Sequence, residues 1–277
     1  MEFALYGLHR GDSAEPATLT RLARLAEDAG FEGLWVGDHI ALPADDTTHP
    51  ATEVRLEAMV ALTHLAAVTT RVRLGFGVLV LPQRQPVLLA KQLSTLDYLS
   101  GGRLTVGVGG GWVEPELNAL GVTLSTRAAR VDEYLAAMRA LWAEEVPSFT
   151  GEFVAFDGVM QRPLPVQRPH PPLVVGGHAP AALRRAVRHG NGWYGWDLDV
   201  DATAAALADL RAATQRHDRP AALGDLEITI TPPAVPDLDT VRRYEEIGVH
   251  RLVVQPDTMD AENITKLITT VGDTLIR

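Results

Sequence analysis

The chain has no cysteine among its 277 residues, which excludes disulfide bonds and thiolate chemistry. It also has little positive charge: 25 Lys and Arg stand against 35 Asp and Glu, giving a formal net charge of -10. Because a nucleic-acid partner requires a basic face, this balance disfavours nucleic acid. No apolar run reaches the ~18 residues of a membrane-spanning helix. The N-terminus lacks a basic segment followed by a long apolar run, so no signal peptide is expected. Together these features predict a cytoplasmic protein with no membrane contact.

Several catalytic motifs are missing as well. The sequence has no G-x-x-x-x-G-K-[ST] loop, so a P-loop nucleotide site is not predicted. None of its nine histidines forms H-x-H or H-E-x-x-H, which disfavours a hydrolytic metal centre, and we predict no metal site. The glycine run that begins at Gly107 is not a dinucleotide fingerprint, because Trp112 takes the place of the last glycine.

What the chain does contain is a regular alternation of short apolar segments and helical patterns. The clearest unit is an apolar strand from Val72 to Leu81, a helix that begins at Pro86, and a second strand from Leu104 to Val108. The other predicted strands are 3 to 8, 34 to 36, 173 to 175, 192 to 196, 226 to 230 and 251 to 254. A helix is predicted after each strand, including one from Glu53 to Thr69.

Eight strands that alternate with helices predict an α/β fold, a single (β/α)8 TIM barrel. We expect residues 1–277 to form one domain, with residues 113–171 as an insertion between strands four and five. A doubly wound open sheet is the alternative. It is less favoured because there are eight units and no dinucleotide fingerprint.

The active site of such a barrel lies at the C-terminal ends of the strands, where the unusual residues of this chain collect. These are His9, Asp38, His39, Gly77, Val78, Gly109, Gly110, Gly111, Trp112, Gly176, Gly177, His178, Trp193, Tyr194 and Trp196. Each one alone also fits a structural role, since glycines form turns and aromatic side chains fill barrels. Their convergence on six strand ends is what favours a site.

Asp38 and His39 are the candidate proton-handling residues. A histidine beside a carboxylate at a strand end can transfer protons near neutral pH. The alternative is a loop aspartate that caps local N–H groups, next to a solvated histidine. Neighbours on a strand point to opposite faces, so contact between the two side chains is not assumed. Gly176-Gly177 before a helix forms an anion-binding pattern, because free N–H groups and the helix dipole favour a phosphate there.

The segment from Leu96 to Leu104, which contains Ser-Gly-Gly-Arg, and the run from Gly107 to Trp112 resemble the signature of the luciferase-like monooxygenase superfamily. Further matches follow in order over nearly the whole chain: Gly37-Asp38-His39, Val80-Leu81-Pro82, Val175-Gly176-Gly177 and Gly190-Asn191-Gly192-Trp193. The resemblance implies a (β/α)8 barrel, often a homodimer, that binds FMN or the deazaflavin coenzyme F420.

The resemblance also implies roles for particular residues. Asp-His after strand two is similar to the deazaflavin branch, in which the two residues lie near the reactive ring carbon. A non-prolyl cis peptide at Gly77-Val78 would support the ring. The remaining cofactor contacts implied are Gly109, Gly110, Gly111, Gly176, Gly177 and His178. The substrate pocket implied is His9, Trp112, Trp193 and Trp196. Some relatives carry a catalytic glutamate just after the strand-four glycines, where this chain has Trp112.

We therefore predict an oxidoreductase that uses F420 for hydride transfer to or from a small organic substrate, with Asp38 and His39 as catalytic residues. The alternatives are an FMN-dependent luciferase-like monooxygenase and, from another class, a non-catalytic barrel that only binds deazaflavin. In the predicted oxidoreductase the cofactor supplies the hydride chemistry, and the barrel supplies its orientation and the exclusion of water.

Overall fold

The protein is described by a computed structural model that covers residues 1–276. The strands are β1 (Glu2–Tyr6), β2 (Gly33–Val36), β3 (Arg73–Phe76), β4 (Leu79–Val80), β5 (Leu104–Gly109), β6 (Phe149–Thr150), β7 (Ala155–Phe156), β8 (Leu173–Gly176), β9 (Gly192–Trp196), β10 (Glu227–Thr231) and β11 (Arg251–Val254). The α-helices are α1 (Pro16–Asp28), α2 (Ala58–Val68), α3 (Pro86–Leu99), α4 (Glu114–Ala119), α5 (Arg127–Ala143), α6 (Pro180–His189), α7 (Val200–Arg216), α8 (Leu238–Glu246) and α9 (Ala261–Val271). A short π-helical turn, Gly272–Ile276, follows α9.

The main sheet is a closed parallel barrel. Its strand order is β3-β2-β1-β11-β10-β9-β8-β5, and pairing of β3 with β5 closes the ring. The short β4 continues the line of β3 and pairs with β5 as well. The predicted (β/α)8 barrel is therefore confirmed, and the alternative prediction of a doubly wound open sheet is wrong.

Two predicted elements differ from the structure. The single strand expected from Val72 to Leu81 is split into β3 and β4, because a bulge at residues 77 and 78 interrupts it. The helix expected from Glu53 begins at Ala58, since the Glu57 side chain caps it by accepting a hydrogen bond from the Val60 N–H at 2.8 Å.

The long segment between β5 and β8 contains α4, α5 and the small antiparallel ribbon of β6 and β7. Helix α5 packs against α3 on the outside of the barrel. The short α4 lies at the C-terminal end of β5, where the strand leaves the barrel. Residues from this segment therefore reach the same rim as the strand ends.

Side chains alternate between two cores, as the pleat of a strand requires. One set packs between strands and helices, with Phe3 and Leu5 from β1 as examples. The other set fills the barrel, and its members are Ala4, Tyr6, Trp35, Val174, Tyr194 and Val253, with Val78 packed against them. At the N-terminal end of the barrel, Arg251 donates to the carboxylates of Glu2, Glu32 and Glu227.

Among residues 1–276, no helix has both the length and the apolar character needed to cross a membrane.

Candidate functional site

The bulge after β3 is the central feature of the C-terminal rim. The Gly77-Val78 peptide bond is cis, as predicted. The Gly77 N–H donates to the Val36 carbonyl at 2.8 Å, which ties the bulge to β2. From inside the barrel, Trp35 and Tyr194 support it: a Cβ on Gly77 would lie 3.1 Å from the Trp35 ring and 3.2 Å from the Tyr194 hydroxyl.

Glycines on neighbouring strands make room for this bulge. A Cβ on Gly107 would overlap the Phe76 carbonyl oxygen, just before the bulge. A Cβ on Gly109 or Gly176 would lie 2.6 or 2.7 Å from the Val78 side chain. These glycines therefore allow close approach of β5 and β8 to Val78. Their predicted role as direct cofactor contacts stays a prediction.

Asp38 is anchored to this bulge. Its carboxylate is buried and accepts hydrogen bonds from the Val80 N–H at 2.9 Å and from the Arg84 guanidinium at 2.5 Å. Arg84 also pairs with Glu57 at 2.8 Å. Burial raises the pKa of Asp38 above its usual value, although the Arg84 charge and the Val80 N–H act in the opposite direction. The carboxylate therefore holds Val80, the last residue of β4, in place.

His39 has a different partner. Its Nδ1 lies 3.0 Å from Oε2 of Glu116 on α4, and the two form an ion pair when the ring is protonated. The other oxygen, Oε1, accepts hydrogen bonds from the N–H groups of Ile40 at 2.5 Å and Ala41 at 3.1 Å. His39 Nε2 has no hydrogen-bond partner among residues 1–276 and is the ring atom left for a ligand. The structure thus directs Asp38 and His39 to separate partners.

Glu116 was not identified from the sequence. Only 2% of its surface is exposed. Burial works to raise its pKa, but the hydrogen bonds from His39 and from the Ile40 and Ala41 N–H groups outweigh burial, and the pKa lies below its usual value. A buried, ionised carboxylate next to an imidazole is the usual arrangement for orienting a catalytic histidine. The sequence feature that could have indicated Glu116 is its position in the short helix directly after the glycine run.

Two groups of aromatic rings stand at the mouth of the barrel. The outer ring cluster is His39, His49 and Trp112, whose ring centroids are 5.5 to 6.3 Å apart. It joins His49, in the loop after β2, to Trp112, which follows β5. Trp112 is 63% exposed and presents its ring to any ligand that enters.

The inner ring cluster is Tyr6, His9 and Trp196. The Tyr6 ring lies edge-on to His9 at 5.9 Å and to Trp196 at 5.0 Å. His9 is almost fully buried, whereas Trp196 is 37% exposed. The cluster lies at the ends of β1 and β9, so the structure brings two predicted pocket residues, His9 and Trp196, to either side of Tyr6.

Trp193 lies elsewhere. It is fully buried in the core between strands and helices, and its Nε1 donates to the Gly177 carbonyl at 2.9 Å. The inward-facing residue next to it is Tyr194, whose hydroxyl bonds to Thr231 Oγ1 at 2.6 Å inside the barrel. The structure therefore separates Trp193 from the other predicted pocket residues and puts Tyr194 beneath the bulge.

The glycines after β5 and β8 lead into helices that lack a side-chain cap. No cap hydrogen bond is made by Val113, Thr126 or Ala179, the residues before α4, α5 and α6, whereas α1, α2, α3, α7, α8 and α9 are all capped by a side chain. Uncapped first turns leave N–H groups for an anion. Gly177 has φ +112°, a conformation that favours glycine, at the entrance to α6.

His178 follows Gly177 and is oriented by the backbone. Its Nε2 accepts a hydrogen bond from the Trp196 N–H at 3.3 Å. Partial burial lowers the pKa of His178, which favours the neutral ring that this bond requires. Above the neighbouring glycines, Arg127 of α5 approaches Gly110: a Cβ there would lie 3.8 Å from the Arg127 Cγ.

Comparison with known proteins gives a consistent result. The family model described as luciferase-like monooxygenase matches residues 1–262. An uncharacterized protein of Mycobacterium tuberculosis is 36% identical over 258 residues, which cover 88% of this chain and 89% of the relative. An FMNH2-dependent dimethylsulfone monooxygenase of Pseudomonas putida is 31% identical over 211 residues, 74% of this chain and 55% of that protein.

Among solved structures, an F420-dependent secondary alcohol dehydrogenase in complex with an F420-acetone adduct superposes with a TM-score of 0.81. The superposition covers 100% of this chain and 99% of the other. The sequence identity is 16%, so this likeness concerns the fold alone.

Proposed function

The chain belongs to the luciferase-like monooxygenase family, and from this premise we propose that it is an oxidoreductase that uses coenzyme F420 for hydride transfer to or from a small organic substrate. The observation that carries the proposal is the His39–Glu116 pair. It places an oriented imidazole at the barrel rim, one residue along the chain from the aspartate that anchors the Gly77-Val78 bulge.

The residues at the rim fit a phosphate-bearing, planar cofactor. The bulge offers a backbone surface supported from below by Trp35 and Tyr194. The uncapped first turns of α5 and α6 offer N–H groups to a phosphate, and Gly177 lets the backbone approach it. We propose that Gly109 to Gly111, Gly176, Gly177 and His178 hold that part of the cofactor.

Within this site the chain's own residues hold a proton and exclude water. Glu116 accepts a hydrogen bond at His39 Nδ1, so Nε2 is the atom that gives or takes the substrate proton. Asp38 fixes the bulge and does not itself carry the proton. The outer ring cluster shields the site from bulk water. A bound deazaflavin would supply or accept the hydride.

FMN is the alternative cofactor. It is supported by the 31% identity to the FMNH2-dependent monooxygenase. F420 is favoured by Asp38-His39 after β2, since this pair is similar to the deazaflavin branch. A barrel that binds deazaflavin without turnover is the alternative from another class.

Parallel fluorescence titrations with F420 and FMN test the cofactor. We expect tighter binding of F420, and a higher dissociation constant in Gly177→Val, whose side chain blocks close approach of the backbone. Gly248→Val is the matched control, because Gly248 also has a positive φ, +96°, but lies in the turn before β11, at the other end of the barrel. Tighter binding of FMN by the wild type would favour the alternative cofactor. Equal affinities of the wild type and Gly177→Val would show that Gly177 does not contact the cofactor.

Turnover separates an enzyme from a carrier. The oxidised and reduced cofactor are mixed with a panel of alcohols, ketones and other small organic substrates, and hydride transfer is followed by absorbance. His39→Ala should lower turnover by about 10²–10⁴-fold, the usual contribution of a general acid or base, with nearly unchanged cofactor affinity. Wild-type turnover in His39→Ala across the pH range would contradict the assignment of the proton carrier.

We also propose that the protein is a homodimer. Val60 in the first turn of α2 and Leu88 in the first turn of α3 are 67% and 58% exposed, and the two helices pack against each other. Exposed apolar side chains on adjacent helices are typical of an interface. Light scattering should give twice the monomer mass for the wild type and a lower mass for Val60→Glu; a monomeric wild type would refute the proposal.

A further inference from the structure

Two uncharged polar groups inside the mouth of the barrel have no partner. His9 is 1% exposed, and its Nδ1 is buried with no hydrogen bond. The Tyr6 hydroxyl makes no hydrogen bond to any residue between 1 and 276. The two rings meet edge-on at 5.9 Å. Buried polar atoms in proteins are nearly always hydrogen-bonded, so the missing partner of His9 Nδ1, beside a hydroxyl that is also unbonded, indicates a place for a ligand.

The backbone is shaped around the Tyr6 hydroxyl. A Cβ on Gly37 would overlap this oxygen, and it would lie 3.8 Å from His9 Nε2. Gly37 therefore lets the hydroxyl and the imidazole approach the end of β2, directly before Asp38 and His39. The two polar groups consequently face the same end of the site as the proposed proton carrier.

The two rings that form the pair are both uncharged. Burial lowers the pKa of His9 to about 3, with the charges of Arg10 and Arg55 acting in the same direction. Burial raises the pKa of Tyr6, although those two arginines oppose it. Both groups are therefore neutral at physiological pH. Arg10 and Arg55 share the single carboxylate of Glu53, at 3.6 and 2.5 Å, which compensates one of their two positive charges.

An apolar wall completes the arrangement. The Trp196 ring lies 5.0 Å from Tyr6 and is partly exposed at the mouth. Tyr194, 6.3 Å from Trp196, connects this wall to the Gly77 bulge. A ligand with a flat or aliphatic body fits against Trp196 and keeps its oxygen near Tyr6 and His9.

We propose that Tyr6 and His9 form a subsite that binds the hydroxyl or carbonyl oxygen of an uncharged substrate whose apolar body lies on Trp196. The inference rests on the proposed function, because it names the substrate class of the same site. A neutral imidazole and a phenol each donate and accept hydrogen bonds, so the subsite holds an alcohol and the corresponding carbonyl compound equally well. Two neutral rings give a carboxylate or phosphate no charged hydrogen bond, so the subsite favours the uncharged oxygen.

Benzyl alcohol and benzoate test the charge preference, since they share one ring and differ in the polar group. The full chain is labelled with ¹⁵N-histidine, and the His9 signal is assigned by its loss in His9→Gln. We expect benzyl alcohol to shift the His9 signal and to bind at least about tenfold more tightly than benzoate. Equal or tighter binding of benzoate would overturn the proposal.

Substitutions of Tyr6 and Gly37 test the hydroxyl. Tyr6→Phe should weaken benzyl alcohol binding by about 2- to 10-fold, the range for one neutral hydrogen bond. Gly37→Ala should cause a similar loss because its Cβ displaces the hydroxyl, and the double variant should be no weaker than either single variant. Tyr98→Phe, on the exposed face of α3, is the matched control. Wild-type affinity in both Tyr6→Phe and His9→Gln would refute the subsite.

The same samples are titrated with F420 by fluorescence, which separates the two proposals. F420 binding with no preference for benzyl alcohol over benzoate would refute the subsite and leave the proposed function standing. A preference for benzyl alcohol that depends on Tyr6, in a wild type that does not bind F420, would refute the proposed cofactor and support the subsite.

Discussion

Replacing Glu116 by glutamine changes one oxygen of the side chain that orients His39 into an NH2 group. The amide oxygen of Gln can still accept the Ile40 and Ala41 N–H groups, which bond Oε1 in the wild type. The NH2 group then takes the place of Oε2, 3.0 Å from His39 Nδ1. Since NH2 only donates, Nδ1 must accept, and the neutral ring carries its proton on Nε2. The protonated ring also loses its counter-charge.

The expected loss follows from the bond that is removed. A hydrogen bond to a charged group contributes about 1.5–3 kcal/mol, which corresponds to about 10- to 150-fold in the population of the competent form. Turnover in Glu116→Gln should fall by that factor, less than in His39→Ala. The double variant should be no slower than His39→Ala alone, because the carboxylate acts only through the imidazole.

Two assays check this prediction. Steady-state turnover is measured with whichever panel substrate the wild type accepts, and the His39 tautomer is read from imidazole ¹⁵N shifts, which require no substrate. Glu114→Gln is the matched control, because Glu114 is exposed and lies on the same short helix. An unchanged tautomer with wild-type turnover in Glu116→Gln would refute the orienting role.

Three further predictions concern stability. Asp38→Asn should lower the free energy of unfolding by about 1.5–3 kcal/mol in urea titrations, because Arg84 loses a charged hydrogen bond; a large loss of turnover with full stability would instead make Asp38 the proton carrier. Burial lowers the pKa of His9 to about 3 in the folded chain. Below about pH 6.5 the unfolded chain therefore binds a proton that the folded chain does not, and the free energy of unfolding decreases as the pH is lowered. Between pH 7 and pH 5 the free energy of unfolding should decrease by about 2 kcal/mol less in His9→Gln than in the wild type. An identical pH dependence of the two proteins would contradict the burial of His9. Gly107→Ala should unfold at markedly lower temperature, because its Cβ overlaps the Phe76 carbonyl, and an unchanged midpoint would place that carbonyl elsewhere.

The barrel could be predicted because its strands and helices carry local signals. Short apolar segments stop at Gly or Pro, and the helical spacing between them repeats eight times around the ring. The boundaries that were missed depend on tertiary contacts. Helix α2 begins at Ala58 because the Glu57 side chain caps it and the Leu56 N–H donates to the His9 carbonyl at 2.8 Å. The spacing of apolar residues in the sequence does not indicate such contacts.

The site was predicted less completely, since its contacts join distant parts of the chain. His39 was identified from its place after a strand, but its partner Glu116 comes from a helix beyond β5. In β9, the sequence Gly-Trp-Tyr-Gly-Trp has aromatic residues on both faces, so alternation cannot tell which one faces the barrel. The structure directs Tyr194 inward and Trp193 outward.

The crowding of Val78 against Gly109 and Gly176 has a consequence for how this family can diverge. The three residues come from distant points in the chain, yet a methyl group added to either glycine would occupy space that the valine already fills. A change at one of these positions is therefore acceptable only in a background that has already changed at another. Gly176→Ala should be tolerated in a chain that carries Val78→Ala and rejected in the chain as it stands. Segments exchanged with a relative must accordingly carry the Gly77-Val78 bulge and the ends of β5 and β8 together, or the recombined barrel will lose the fit between valine and glycine.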